Sequence, residues 1–480
     1  MKLCDILNGI DVIECNADLE SEILGVECDS RKATEKTLFV AIKGYETDGN
    51  KYIASAKGAG ASVYITDEKN ALSKDGILVS DARRALAVAA KNFYGNPTKD
   101  IKVIGVTGTN GKTTVTYLIK HILEKQGAIC GLIGTNKNMI GEKTLETERT
   151  TPESNELWKL FSEMRDAGCT HIIMEVSSHS LELSRVYGIE YTVGAFTNLT
   201  QDHLDFHKTM ENYEAAKLKL FNQCEIGVIN IDDEAGKRIS KLAPSEVITY
   251  SAKSNEGDYV AKNIRTKPAS VEFEFVGIDT IARMEMNIPG KFSVYNALCA
   301  ISVLMALGVP VYEISAALRT VKGVKGRAEV VPTETDYTVM IDYAHSPDGL
   351  ENILRTVKEI TEGKVYVVFG CGGDRDATKR PKMGKVAASL ADVVIVTSDN
   401  PRTEDPNLII NDIIPGVREV RDDFISIADR REAIFKALDM AGKGDMIVLA
   451  GKGHETYQEI NHIKHHMDER EIVQEYFSGR

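Results

Sequence analysis

The sequence predicts an α/β protein of two or three domains, built on largely parallel sheets. Three observations carry that expectation. The chain has 480 residues, more than one hydrophobic core ordinarily organises. Short apolar runs alternate with helical patterns, the order expected of parallel strands joined by crossover helices. Several of those runs end in glycine or polar residues, where ligands of open α/β sheets gather.

In chain order, TLFVAIKG (37–44) reads as a strand, KYIASAKGAGA (51–61) as a helix, SVYIT (62–66) as a strand and RRALAVAAKNFYG (83–95) as a helix. GNPTKD (95–100) is rich in turn formers and marks a domain boundary. IKVIGVTG (101–108) is an apolar strand entering a glycine-rich loop, followed by the helix TTVTYLIKHILEKQG. THIIMEVSS (170–178) and EIGVINID (225–232) continue the alternation, and the texture changes near VKGVKGRAEVV (321–331). A last set follows: VMIDYAHS, KVYVVFGCGG, DVVIVTSDN and DMIVLAGKG.

Composition excludes several classes. Apolar residues are 43% and charged residues 27%, as in soluble globular chains. A formal charge of -13 argues against a general nucleic-acid or acidic-membrane binder. No stretch reaches the length of a membrane span, and the start lacks a signal-peptide pattern. Eight scattered cysteines, with no CxxC pair, read as reduced thiols in a cytoplasm.

GVTGTNGKTT (105–114) carries the clearest chemistry. It departs from GxxxxGK[ST] because Val106 stands where the first glycine would be. Its physical parts remain. Gly108 and Gly111 let the backbone of Thr109 and Asn110 curl so that N–H groups face an anion. Lys112 supplies a cation, Thr113 a hydroxyl for Mg²⁺, and Thr114 continues into a helix whose positive end faces the same place. The loop predicts ATP or GTP binding. By itself it does not separate a motor, a switch, a kinase or a ligase.

GTNGKTT resembles the ATP loop of the Mur ligase family, which builds the peptide of bacterial cell-wall precursors. MEVSSHSL (174–181), FTNLTQDHLDFH (196–207), YEAAKLKLF (213–221), PGKFSVYNAL (289–298), IDYAHSPDGL (341–350), FGCGGDRD (369–376), DNPR (399–402) and GKGHETYQ (451–458) match in order. The resemblance implies three domains: a smaller α/β domain for the UDP end of the substrate (1–98), a central P-loop ATPase (99–327) and a Rossmann-like domain for the amino acid (328–480). It implies a monomer that adds meso-diaminopimelate to the D-glutamate of UDP-N-acetylmuramoyl-L-alanyl-D-glutamate, using ATP and Mg²⁺. A lysine-adding member is the nearest alternative, and a P-loop switch or motor the alternative from another class.

The same resemblance implies roles. Lys112, Glu175, His203 and Lys217 are catalytic, with Thr113, Glu175, His203 and a carbamate on Lys217 at the metal. Asn296, Arg327 and Asp342 join the loop in holding the nucleotide. His345 orders a loop and receives no chemistry. Ser30 lies near the uridine end, Thr150 and Thr151 hold the muramoyl-peptide, and Ser177 and Arg185 sit near the D-glutamate. Arg375, Asp399, Asn400, Pro401, Arg402, Gly451 and Glu455 form the amino-acid site. Arg402 would meet the carboxylate that meso-diaminopimelate has and lysine lacks. A site built to pair a buried charge rejects an analogue without it by up to about 10⁴–10⁵-fold. An Asp–Arg pair on an exposed turn would be worth about 1 kcal/mol at most. Two departures stand out. Arg149 precedes the paired threonines, where relatives often have Asn, and Asn50 follows Asp48-Gly49, where they often have His.

Overall fold

The computed structural model describes residues 1–44, 47–147, 149–267, 270–321 and 323–478. Three main sheets follow one another along the chain. In the first, the spatial order is Val12–Cys15, Gly76–Val79, Ala61–Thr66, Thr37–Val40, Gly25–Glu27, and the outermost Val12–Cys15 pairs antiparallel. The helix Ala82–Phe93 covers it. Asp81 starts this helix by accepting the N–H groups of Arg83 and Arg84, and a run of alanines keeps it close to the sheet.

The central sheet has eleven strands. Its parallel middle runs Glu246–Ser251, Cys224–Asn230, Tyr191–Phe196, Lys102–Thr107, His171–Glu175, Cys130–Ile133. The glycine-rich loop leaves Lys102–Thr107 near the centre of that array. Val115, Leu118, Ile119 and Ile122, spaced along the buried stripe of the helix Lys112–Lys125, pack with Ile104 and Val106 of the strand before it. That packing fixes the loop between two rigid elements.

One expectation is extended here. The central sheet is not parallel throughout. Tyr259–Thr266 pairs parallel with Glu246–Ser251, after which Val271–Gly277 and Thr280–Met286 continue that edge antiparallel, and Asn138–Ile140 with Lys143–Leu145 do so at the other. These strands lie outside the crossover region and expose much of one face, so their sequence lacks the continuous apolar runs of the middle.

The third sheet runs Glu329–Val331, Thr338–Asp342, Met446–Ala450, Val365–Phe369, Val393–Val396, Ile425–Ser426. All five residues of Val365–Phe369 are buried, because helices cover both faces. The carboxyl ends of its parallel strands carry the loops 343–346, 370–376, 397–402 and 451–456. A small hairpin, Tyr457–Ile460 with Ile463–His466, projects beside them.

Candidate active site

The glycine-rich loop is held from behind by the segment after Tyr191–Phe196. Thr197 donates its hydroxyl to the Asn110 carbonyl at 2.6 Å, the Asn198 side chain accepts the Asn110 N–H at 3.0 Å, and Thr109 donates its N–H to the Asn198 carbonyl at 2.9 Å. Gly108 and Gly111 have φ of 143° and 88°. A Cβ on Gly108 would fall 1.9 Å from Thr197 Oγ1, and one on Gly111 2.4 Å from Asn296 Oδ1. Both positions therefore demand glycine for space as well as for conformation. Asn296 sits against the loop. Lys112 donates to the Gly108 and Thr109 carbonyls at 2.9 and 2.8 Å. Burial draws its amine below the usual range, with Arg327 adding repulsion and Glu175 opposing it.

Glu175 ends its strand buried. Its carboxylate accepts the Thr135 N–H at 2.9 Å and the Thr135 hydroxyl at 3.0 Å, and that hydroxyl lies 3.0 Å from the hydroxyl of Thr150. Thr135 was not legible as a site residue, and it joins Glu175 to the paired threonines. Thr151 donates to the Glu175 carbonyl at 2.8 Å. Lys217 is buried, with its ammonium 4.4 Å from the centre of the Tyr213 ring. Among the described residues no carboxylate pairs with it. Burial, reinforced by Lys112, holds its amine well below the usual lysine range.

The junction with the third domain, and that domain itself, meet the loop directly. Arg327 donates to Thr113 Oγ1 at 3.1 Å and lies 4.7 Å over the Tyr343 ring. Asn110 donates to Asp348 at 2.7 Å. Asp342 accepts the Ala328 N–H at 2.7 Å, and its carbonyl accepts the Gly451 N–H at 3.0 Å. Burial raises its carboxyl against the pull of Arg327.

Between the two domains lies Asp202, which sequence reasoning passed over. It stands 3.6 Å from His203, 3.7 Å from His345 and 3.8 Å from Lys379. Burial opposes its charge, yet these partners keep its carboxyl well below the ordinary range. Asp202 also accepts the His203 N–H at 2.9 Å, steadying a residue with φ of 54°. Burial brings the His203 imidazole down to about 3 despite that carboxylate, so the ring is neutral at pH 7.

One cavity of about 1300 Å³ spans the central and third domains. Thr150, Thr151, Ser177, Arg185 and His203 line it from the central domain, and Arg375, Asp399, Asn400, Arg402, Gly451 and Glu455 from the third. Glu153, another residue missed, holds Arg185 at 2.7 Å and Arg149 at 3.1 Å. The Arg149 departure thus sets a second cation beside Arg185. Ser30 does not reach this cavity. It lies on a turn whose Lys32 pairs with Glu156 at 2.9 Å, in the first turn of Ser154–Asp166. Asn50 accepts the Thr66 hydroxyl at 2.7 Å and donates to Asp48 at 2.9 Å, so its amide is used inside the first domain. Pro401 is buried and is not among the lining residues.

The loop before the hairpin is wired to it. Lys452, fully buried, donates to Asn400 Oδ1 at 2.7 Å and to Glu455 at 2.6 Å, and Asn400 donates to Glu455 at 2.9 Å. Arg430 donates to the Ser398 and Ala450 carbonyls at 3.2 and 2.7 Å and pairs with buried Glu469 at 2.8 Å. Those carbonyls immediately precede Asp399 and Gly451, so one guanidinium sets the spacing of two strand ends.

This arrangement can be compared with known proteins. Three family models match in succession: Mur ligase family, catalytic domain, at 22–94; Mur ligase middle domain at 106–304; and Mur ligase, glutamate ligase domain, at 326–453. A UDP-N-acetylmuramoyl-L-alanyl-D-glutamate--2,6-diaminopimelate ligase of Clostridium botulinum is 50% identical, over 95% of each chain. The chain belongs to the Mur ligase family. A ligase of the same description from Clostridium tetani is 48% identical over 99% of each chain. A solved structure of another ligase so described aligns with a TM-score of 0.72 at 32% identity, over 100% of this chain and 99% of that one. The MurF ligase of Thermotoga maritima, solved in complex with ADP, shares the Mur ligase fold with a TM-score of 0.63 at 20% identity, over 95% of this chain and 97% of that one. The three-domain α/β architecture is thus that of the family. Among the described residues no helix is long and apolar enough to cross a membrane.

Two histidines near the site make stability depend on pH. Burial lowers His207 to about 4 and His454 to about 3. In the unfolded chain both would titrate near their ordinary value of 6.5. Between those limits the unfolded state binds more protons, so folding stability falls as pH falls. Urea unfolding midpoints should drop from about pH 7 to about pH 5, and His207→Gln should flatten part of that slope. A slope unchanged in the variant would show that His207 is not held neutral.

Proposed function

We propose that the protein is an ATP-dependent amide ligase that joins meso-diaminopimelate to the D-glutamate of UDP-N-acetylmuramoyl-L-alanyl-D-glutamate. One observation supports this most. A single cavity presents Thr150, Thr151, Ser177 and Arg185 on one wall and the Asp399–Arg402 loop with Arg375 and Glu455 on the other. Hydroxyls and an arginine suit the anionic acceptor, and a mixture of carboxylates, amide and arginine suits a zwitterionic amine. The full-length relatives described above bear the same activity in their names.

The chemistry follows from charge. The loop N–H groups and Lys112 bind the phosphates of ATP, while Asn296, Arg327 and Asp342 hold its nucleoside side. A carboxylate oxygen of the acceptor attacks the γ-phosphorus and ADP leaves, giving an acyl phosphate. The amine then attacks the acyl carbon, and the tetrahedral adduct expels phosphate. Negative charge concentrates at each step, so cations and oriented donors stabilise it. Arg185 orients the acceptor, and Asp399, Asn400 and Glu455 receive the ammonium group of the amino acid.

The residues present fit a magnesium ion. Thr113 offers a buried hydroxyl and Glu175 a buried carboxylate already oriented by Thr135. Hard oxygen donors of this kind suit Mg²⁺, and His203 would join them only as the family resemblance implies. Bound there, the metal would neutralise phosphate charge. Lys217 fits a carbamate, because a buried lysine held neutral is the form that adds CO₂ and so replaces a cation by an oxygen-bearing anion. All three sets of groups belong to one chain, so a monomer suffices for the proposed reaction, and a cytoplasmic location suits its nucleotide substrates.

Lys217→Ala should lose most activity and regain part of it with a short carboxylic acid in the assay; no recovery would remove the carbamate. The amine assignment is tested by kinetics with meso-diaminopimelate and L-lysine. We expect kcat/KM to favour meso-diaminopimelate by at least about 10³-fold, since lysine has no second carboxylate for Arg402 to meet. Comparable values for the two amines would overturn it.

A further inference from the structure

Arg402 is held in an unusual way. Its φ is 52°, a left-handed conformation for a side chain with a Cβ. Two main-chain bonds to the hairpin maintain it: the Arg402 N–H donates to the Glu459 carbonyl at 3.0 Å, and the Arg402 carbonyl accepts the Asn461 N–H at 2.8 Å. Strain of this kind persists where the surroundings over-determine it, and it clusters at ligand sites. The same strand brings the Glu459 carboxylate 3.2 Å from Arg402 Nε. On the other side, Arg402 Nη1 donates to the Gly373 carbonyl at 2.7 Å.

The guanidinium is thus fixed at Nε and at Nη1, while among the described residues nothing is bonded to Nη2. Arg402 lines the cavity. Its partner is half-sheltered: the side chains of Arg402 and Glu459 are 19% and 23% exposed. The neighbouring cation of the hairpin does not compete for Glu459. Lys464 stands opposite it in the strand register, but its ammonium lies 4.5 Å over the Tyr457 ring. A planar guanidinium with one edge anchored presents its remaining donors in a fixed direction, which is what discrimination between a carboxylate and its absence requires.

We infer that Glu459 is a specificity-determining positioning residue, which anchors the inner edge of the Arg402 guanidinium so that its free edge meets the second carboxylate of the amino acid. The inference rests on the reading of Arg402 as the carboxylate-binding group. Glu459 does not touch substrate. It acts by restricting Arg402, so its removal weakens the amine that uses Arg402 and spares the amine that does not.

The test uses the full-length enzyme with saturating ATP and UDP-N-acetylmuramoyl-dipeptide, and each amine in turn. Glu459→Ala should raise KM for meso-diaminopimelate about tenfold or more, with kcat changed far less and the L-lysine parameters unchanged. Glu459→Gln, which keeps an oxygen acceptor in the same place, should recover most of that loss. Both variants should keep the wild-type thermal midpoint. An unchanged KM in Glu459→Ala, an equal change for both amines, or no recovery in Glu459→Gln would overturn the inference and leave the amine assignment standing. Equal kcat/KM of the wild type for the two amines would instead overturn the assignment and this inference with it.

Discussion

The apposition of two sheet edges governs this protein. On the function proposed above, loops at the carboxyl ends of the central strands would carry the phosphate and acceptor groups, and loops at the carboxyl ends of the third sheet the amine groups. Neither set can react alone. What brings them face to face is a small set of polar contacts: Asp202 with His345 and Lys379, Asn110 with Asp348, and Arg327 with Thr113. Asp202 is central because its carboxylate meets His345 and Lys379 of the third domain and also holds the main chain of His203. Polar contacts suit such a surface better than apolar ones, since domains that open to admit three substrates must tolerate water between them.

Buried charge is the second organising constraint. An isolated buried ion is expensive, and three buried cations here show two ways of meeting that cost. Arg430 and Glu469 pair completely out of solvent, and the guanidinium spends its other donors on the carbonyls before Asp399 and Gly451. Lys452 neutralises Glu455 and orders Asn400. These pairs act as spacers that make two flexible loop starts rigid. Lys217 follows the other course: without a carboxylate partner among the described residues, its amine is pushed toward neutrality. The contrast between Lys452 and Lys217 separates a lysine used as a strut from one suited to further chemistry.

What could be read in advance divides along locality. The strand Lys102–Thr107, its loop and the following helix were legible because apolar periodicity and two glycines express them within a dozen residues. The four strands of the third sheet that end in polar motifs were legible for the same reason. Edge strands such as Thr280–Met286 were not, because one exposed face dilutes their apolar signal. Asp202 and Glu459 were illegible in a different sense. Each sits in or beside a recognised motif, yet its meaning comes from partners 143 or more positions away in the case of Asp202 and His345, or across a hairpin docked on a strained loop for Glu459. The TTPES segment contained Glu153 in plain view, but nothing local says that it holds two arginines.

Phosphate should be released only when both domains have delivered their substrates. The direct measurement is phosphate release with ATP, UDP-N-acetylmuramoyl-L-alanyl-D-glutamate and meso-diaminopimelate together, and with each left out in turn. Sustained release is expected in the complete mixture, with most of it lost on any single omission. Equal release with ATP alone, or stimulation by a protein or nucleic acid in place of the amine and acceptor, would contradict it and identify a P-loop switch or motor instead.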